Sequence, residues 1–539
     1  MAKQEYLIGV DLGTSATKAA LYRLDGTLVA EASAEVPLYY PEPGVVEQEN
    51  DDFYYSAART VQKCITQSGI DSRAVAGIAF DSQMAGVGSV DEDFRPATRF
   101  DSWLDMRCRP YIEQIEKDHG HIVTRLTGCP PTCDHGPKIL WWKEERPKDY
   151  ARVARFLMPA AYVAGTMAGL RGDEAFIDHT FIHFSGLSDA QACTWSHELC
   201  DLLGADIGKL PRIVPPWEVI GEVMDMPAKD FGLAPGTPIA AGCGDTAAGA
   251  LGAGIVRAGM LLDTAGTASV LAGCTDQFVA DEGSRALLTM RSVVPGLWHP
   301  LAYIAGGGQA LRWFRDEFFH MGRIPHTPED MGKIPHTPEE MGKIPHTPID
   351  DDQMGKDPYD LMAEGAAQVS PGAEGLFFSP HLGGRVCPAT PAMRGAWVGF
   401  SWGHRQAHFF RAILEGIAFE YAYYLKILRE LIPDLSLVEA RVIGGGAKSH
   451  IWNQIKADVL GVPYQRLKRS EFATWGSAMI AGRAVGLFDD LADAATATTE
   501  ADGGPFVPSP DVTDVYRPLV EQYIGWQQVF ADAFSSLVK

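Results

Sequence analysis

Two short turns rich in glycine and threonine lie about 250 residues apart, and each has the make-up of an anion grip. The first is Asp11-Leu12-Gly13-Thr14-Ser15-Ala16-Thr17-Lys18, directly after the apolar run Tyr6-Leu7-Ile8-Gly9-Val10. The second is Asp263-Thr264-Ala265-Gly266-Thr267-Ala268-Ser269, followed by Val270-Leu271-Ala272. Each reads as strand, tight turn, strand, because aliphatic and β-branched runs flank a glycine that accepts positive φ. Such a turn aims successive backbone N–H groups and hydroxyls into one concavity, which suits phosphate. One turn alone is equally an ordinary hairpin. The pair points to two similar lobes, each offering a phosphate-binding hairpin to one nucleotide between them.

Other residues supply acid–base and recognition chemistry. Asp245 sits in Gly242-Cys243-Gly244-Asp245-Thr246-Ala247-Ala248-Gly249, at the end of an apolar strand. A carboxylate there can take the proton of an incoming hydroxyl, the general-base role in phosphoryl transfer to an alcohol. It can equally cap the small-residue helix that follows. Trp103-Leu104-Asp105-Met106-Arg107 offers an aromatic wall, an acceptor and a donor fork, which is either a carbohydrate-binding set or a salt bridge beside a core tryptophan. Asp81-Ser82-Gln83-Met84 is a further polar cluster at the end of a buried strand. Val442-Ile443-Gly444-Gly445-Gly446-Ala447-Lys448-Ser449 runs from an apolar strand into a glycine turn, where backbone can approach a flat ring. The amphipathic helix after it, from Trp452 to a Gly461-Val462-Pro463 stop, presents an N-terminus that favours anions. Cys129, Cys133 and His135 lie close together but lack the second ligand pair that a zinc site of this kind needs.

The elements that must position these groups are legible in the apolar periodicity. Residues 5–11, 17–23 and 27–36 read as strands with Asp25-Gly26 as a hairpin turn, and Val75 to Asp81 as a buried strand. Helices are expected over 51–68 and near 106–118 and 137–150. The stretch from Gly236 to Ala258 reads as strand, turn and a helix whose alanines and glycines permit close packing.

At 539 residues the chain divides into at least two domains. The expected division is 1–257, 258–490 and a 491–539 tail with a terminal helix. A formal charge of −23 disfavours nucleic acid and anionic membrane as partners. Nine scattered cysteines fit reduced thiols, no apolar run reaches about 18 residues, and a strand begins without a preceding signal peptide. A soluble cytoplasmic protein is the expectation, with a homodimer left open. Residues 321–350 hold three near-identical decapeptides of the type Met-Gly-Lys-Ile-Pro-His-Thr-Pro. Two prolines per unit exclude regular helix, so they read as an expanded surface loop. The alternative is a lid or oligomer contact presenting His326, His336 and His346.

The order of these motifs resembles the FGGY family of carbohydrate kinases, in the actin/Hsp70/hexokinase superfamily, and most closely its xylulokinase branch. Gly9-Val10-Asp11-Leu12-Gly13-Thr14-Ser15, Trp-x-Asp-x-Arg at 103–107, Gly-Asp-Thr-Ala-Ala-Gly at 244–249 and Gly-Gly-Gly-Ala-Lys-Ser-x-x-Trp-x-Gln at 444–454 carry the resemblance. It implies an α/β fold of two ribonuclease H-like (actin-like ATPase) domains around an interdomain active-site cleft. It further implies ATP and Mg²⁺ as cofactors and a sugar or polyol as substrate. Asp245 matches the catalytic base. Asp11, with Asp245, falls on the Mg²⁺ side, and Gly13, Thr14, Ser15 and Lys18 on the nucleotide side. Gly266 and Thr267 match the second phosphate turn, and Gly445, Gly446 and Ala447 the loop against adenosine. Gln83, Met84, Trp103, Asp105 and Arg107 fall where the family holds its sugar.

The departures lie at the sugar end. The family's Gln-Met-His-Gly is here Gln83-Met84-Ala85-Gly86, its usual Asn after the base is Thr246, and its Gly-Glu-Arg is Gly383-Gly384-Arg385. Asp178 and His179 stand where they can replace the lost imidazole contact. The expectation is therefore a kinase for a ketose or polyol other than D-xylulose. An actin- or Hsp70-like ATP-driven switch and a non-catalytic sugar sensor are the competing readings on the same fold.

Overall fold

In the computed structural model the described residues are 5–319 and 357–537. The three decapeptides, with the loop, lid and oligomer-contact readings attached to them, lie outside the described residues.

Two mixed sheets organise the chain. In the first, the strand Tyr6–Leu12 lies between Val75–Ser82, to which it runs parallel, and Ala16–Arg23, to which it is antiparallel. Leu28–Glu35 forms one edge, and Pro238–Ala240 and Val219–Glu222 extend the other. Helices cover this sheet, so the Val75–Ser82 strand is buried at every position and reads as a continuous apolar run instead of an alternating one. The second sheet repeats the motif. Met260–Ala265 lies between its antiparallel partner Ser269–Gly273 and the parallel strand Glu439–Ile443. Leu288–Arg291, Trp298–Ile304 and Tyr464–Arg466 complete it.

Each glycine-threonine turn closes the central hairpin of its own sheet. Gly13 N–H reaches the Ala16 carbonyl at 3.1 Å, and Gly266 N–H reaches the Ala268 carbonyl at 3.1 Å. The Asp25-Gly26 turn is also present, with Gly26 at φ +82°. Of the expected helices, the first spans Asn50–Ser68. The second runs from Arg109 to Thr127, beyond the expected end, and the third is split into His135–Glu145 and Pro147–Arg152 by Pro147.

The helix Asp245–Gly252 packs against the helix Phe472–Ala484, and small residues make that contact possible. A Cβ at Gly476 would lie 2.1 Å from the Ala248 carbonyl oxygen, and one at Gly252 would lie 1.9 Å from that of Phe472. The Phe472–Ala484 helix also crosses the first sheet, where a Cβ at Gly9 would meet the Thr474 carbonyl at 1.8 Å. A segment from the C-terminal half of the chain thus covers the strands that carry the first turn.

The terminal helix Pro510–Leu537 docks on the long helix Gln406–Leu431 through two buried tyrosine–glutamate bonds. Tyr516 OH donates to Glu415 and Tyr523 OH to Glu420, each at 2.7 Å. Arg411 and Arg385 bind the same two carboxylates. No helix among the described residues is long and apolar enough to cross a membrane.

Candidate active site

Parallel pairing places Asp11 beside Asp81, and Asp81 beside Cys243, near the C-terminal ends of adjacent strands of the first sheet. Asp245 follows two residues later as the first residue of its helix, while the cap position goes to Gly244. One Asp245 oxygen accepts Thr246 N–H at 2.5 Å and the Thr246 hydroxyl at 3.1 Å. Burial pushes the Asp245 carboxyl up to about 6. Burial, and then the charge of Asp245, push Asp11 to about 7. Asp81, fully buried, is raised by burial and by Asp11; its Oδ2 accepts from Ser477 Oγ at 2.6 Å, and its Oδ1 accepts no hydrogen bond.

Asp11 and Asp245 are hard oxygen donors, and the charge of Asp245 opposes the ionisation of Asp11, a strain that a dication relieves. Among the described residues no three His, Cys, Asp or Glu side chains form a metal cage. Two carboxylates without a cage suit Mg²⁺ that takes its remaining ligands from phosphates and water. The donor set fits that group.

The first turn is bonded to Trp103 directly and to Gln83 through Gln48. Trp103 Nε1 donates to Thr14 Oγ1 at 2.9 Å while the indole stays 40% exposed. Gln48 Nε2 donates to the Thr14 carbonyl at 2.9 Å, and Gln83 Nε2 donates to Gln48 Oε1 at 2.8 Å. That leaves Gln83 Oε1 buried without a partner, an acceptor ready for a ligand hydroxyl. Met84 packs against Gly244, where a Cβ would lie 2.5 Å from its methyl carbon.

Asp105 and Arg107 saturate each other instead of facing open space. Asp105 is fully buried and accepts from Val46 N–H at 2.7 Å and from Arg107 at 2.7–3.0 Å. Arg107 also pairs with Glu47 at 2.7 Å and lies over the Trp141 ring. Lys138 Nζ donates to the Asp105 carbonyl at 2.8 Å. The pair underpins the Trp103 loop.

Asp178 and His179 likewise turn inward. Asp178 accepts the N–H and hydroxyl of Thr180 at 2.8 and 2.7 Å, and Thr180 Oγ1 accepts Gly244 N–H at 2.9 Å. The chain of bonds braces the strand end that presents Asp245. Burial pushes Asp178 to about 7. His179 Nε2 lies 3.1 Å from the Ser292 carbonyl. The imidazole that does reach the segment beside Ala85 is His135, whose Nε2 lies 2.8 Å from the Met84 carbonyl. Lys18 stands opposite Asp11 in the hairpin, but its ammonium pairs with Glu471 at 3.0 Å, tying the first hairpin to the start of the Phe472–Ala484 helix.

The second turn opens into a cavity of 1490 Å³ whose wall includes Gly266, Thr267, Gly308, Gly445, Gly446 and Trp452. Gly444, at φ +85°, and Gly446 let this loop lie on the second turn, since a Cβ at Gly444 would be 2.9 Å from the Ala265 carbonyl oxygen and one at Gly446 would be 2.7 Å from the Ala265 Cβ. Ala447 is not on the cavity wall; its carbonyl accepts from Asn453 at 2.8 Å. Sequence reasoning passed over Gly306-Gly307-Gly308-Gln309, at the start of the helix Gly307–Phe318. Gln309 N–H donates to the Thr267 carbonyl at 3.0 Å, and a Cβ at Gly308 would meet the Gly266 carbonyl at 1.9 Å. The signal was available: a triple glycine after the apolar strand Trp298–Ile304, the same pattern as at 444–446.

Comparison with known proteins matches residues 6–252 to the N-terminal domain model of the FGGY family of carbohydrate kinases and residues 262–485 to its C-terminal domain model. Similar proteins include the xylulose kinase of Bacillus subtilis strain 168, 26% identical over 521 residues and 96% of each chain. The gluconokinase of the same strain is 26% identical over 543 residues, 99% of this chain and 97% of that one. Among solved structures, the ligand-bound xylulose kinase from Lactobacillus acidophilus superposes with a TM-score of 0.85 over 99% of both chains at 23% identity. The fold is therefore the expected one, α/β with two domains of the actin-like ATPase type.

Proposed function

The chain belongs to the FGGY family of carbohydrate kinases, and on that premise we propose that it transfers the γ-phosphoryl group of ATP to a hydroxyl of a ketose or related polyol, with Asp245 as general base. The observation that carries the reading is the junction at Thr14. The phosphate turn and the exposed indole of Trp103 meet there, with the free acceptor of Gln83 joined through Gln48, near the strand ends that carry Asp11 and lead to Asp245.

The sugar stacks on Trp103 and gives a hydroxyl hydrogen bond to Gln83 Oε1. Asp245 takes the proton from the attacking hydroxyl as the new O–P bond forms and the bond to the leaving ADP oxygen breaks. Burial holds its carboxyl above the ordinary carboxylate range, which makes it a stronger proton acceptor. Gly13, Thr14 and Ser15 hold the terminal phosphates from one side and Gly266 and Thr267 from the other. Asp11 and Asp245 would hold Mg²⁺, which neutralises phosphate charge when bound. Gly445 and Gly446 lie against adenosine in the large cavity.

The substrate is a ketose or polyol other than D-xylulose, because Ala85 removes a sugar-contacting imidazole and neither Asp178 nor His179 restores it. The similar xylulose kinases and gluconokinases bracket the substrates worth testing. A coupled ADP-release screen across ketoses, aldoses, polyols and sugar acids tests the reading. Sugar-dependent ADP release is expected, greatest for a neutral ketose or polyol. Turnover of D-xylulose that no other compound approaches would refute the substrate assignment, and ATP turnover indifferent to every sugar would favour a nucleotide-driven switch.

A further inference from the structure

Behind the second phosphate turn lies a charge pair with no exposed surface on either side chain. Lys456 Nζ and Asp263 Oδ2 are 2.5 Å apart, and the other Asp263 oxygen accepts from Tyr421 OH at 2.9 Å. The Lys456 ammonium also sits 3.8 Å from the centroid of the Trp452 ring. Taking two charges out of water costs several kcal/mol per ion, and well-packed apolar side chains would fill the same space without that cost. What an apolar contact lacks is direction. A charge-assisted hydrogen bond fixes a distance and an angle between the elements it joins.

The elements joined here are the two halves of the cavity wall. Asp263 lies on the strand Met260–Ala265, which leads straight into Gly266 and Thr267. Lys456 lies on the helix His450–Leu460, one turn after Trp452, whose ring bears on Gly446. Tyr421, the third partner, comes from the long helix Gln406–Leu431. We propose that Asp263 and Lys456 are a positioning pair that sets the spacing between the second phosphate turn and the adenosine wall, so that a nucleotide's phosphates and base are gripped in one register. The inference rests on reading Gly266, Thr267, Gly445 and Gly446 as the nucleotide site.

The test is the double variant Asp263→Asn with Lys456→Met, which removes both charges and leaves neither ion stranded. The expected result is a KM for ATP raised by about tenfold, with the KM for the sugar unchanged and the melting temperature close to wild type. A displacement of the turn acts on the nucleotide, whereas general loosening would lower the melting temperature and affect both substrates. An unchanged KM for ATP in a stably folded double variant overturns the proposal. If the double variant shows no cooperative melting, Tyr421→Phe decides the same question, because it removes one bond to Asp263 and no charge. It is expected to raise the KM for ATP severalfold, and an unchanged value overturns the proposal. Thr267→Val separates the two layers of the argument. If it leaves ATP binding unaltered, the nucleotide-site reading itself fails; if it weakens ATP binding while the double variant does not, only the positioning pair fails.

Discussion

The indole N–H of Trp103 and the hydroxyl of Thr14 share a hydrogen bond of 2.9 Å across 89 residues of sequence. One end belongs to the aromatic wall proposed for the sugar and the other to the turn proposed for the phosphates. On those proposed roles the bond ties the sugar's position to that of the transferring group, and in phosphoryl transfer positioning accounts for much of the catalysis.

Trp103→Phe keeps an aromatic face and deletes that bond. A neutral hydrogen bond contributes about 1 kcal/mol, so kcat/KM for the sugar should fall about fivefold. Nucleotide affinity, measured by calorimetry with ADP, should hold. Trp103→Ala removes the face as well and should lose at least about tenfold more. Equal activity in the phenylalanine variant would show that the bond has no part in positioning.

Asp245→Asn retains an oxygen that can accept from Thr246 and removes the proton acceptor. Turnover should drop by about a hundredfold or more, with binding of metal-free ADP and melting temperature near wild type. Sugar-dependent turnover at the wild-type rate in this variant would remove Asp245 from the base role.

Much of this site is legible in local sequence, because strand, glycine turn and strand leave a signature within a dozen residues. The hairpins at 13–15, 26 and 266–268 stand where the pattern put them. What the sequence hides is the partner. Lys18 looks like a phosphate ligand until Glu471 is found beside it, 453 residues along the chain. Asp178 looks like a sugar contact until Thr180 relays it to the Gly244 N–H. The Phe472–Ala484 helix is buried along most of its length, so no amphipathic stripe shows which sheet it covers. Its destination follows only from where Gly9 and Gly476 leave room.

Gly308→Ala tests the turn that sequence reading passed over. The added methyl would fall 1.9 Å from the Gly266 carbonyl, which has no flexible side chain to move aside. The turn must shift, and kcat/KM for ATP should fall by at least about tenfold. Gly306→Ala is the control, since a Cβ there meets nothing within 4 Å, and its kinetics should match wild type. If both variants behave alike, the close approach of Gly308 to Gly266 does not shape the nucleotide site.

Acid should weaken the hold of Glu420 on the terminal helix. Burial by itself would raise this carboxyl, but Arg385, with His381 and Tyr523 around the same group, brings it down to about 2. A carboxyl whose pKa is lower folded than unfolded adds stability above its unfolded value and loses it as pH falls through the folded one. The window thus runs from the ordinary value of 4.5 down to about 2. That gap corresponds to about 3 kcal/mol. Melting curves of wild type and Glu420→Gln between pH 7 and pH 2.5 check it. At pH 7 the variant should melt lower, since Arg385 is left buried beside an amide. Other carboxylates titrate in both proteins, so the difference between the two curves isolates Glu420. That difference should shrink steadily below pH 4.5, as the carboxylate of the unfolded chain takes up a proton that the folded one still refuses. Curves that stay parallel through the acid range would mean that Glu420 is not held ionised by Arg385.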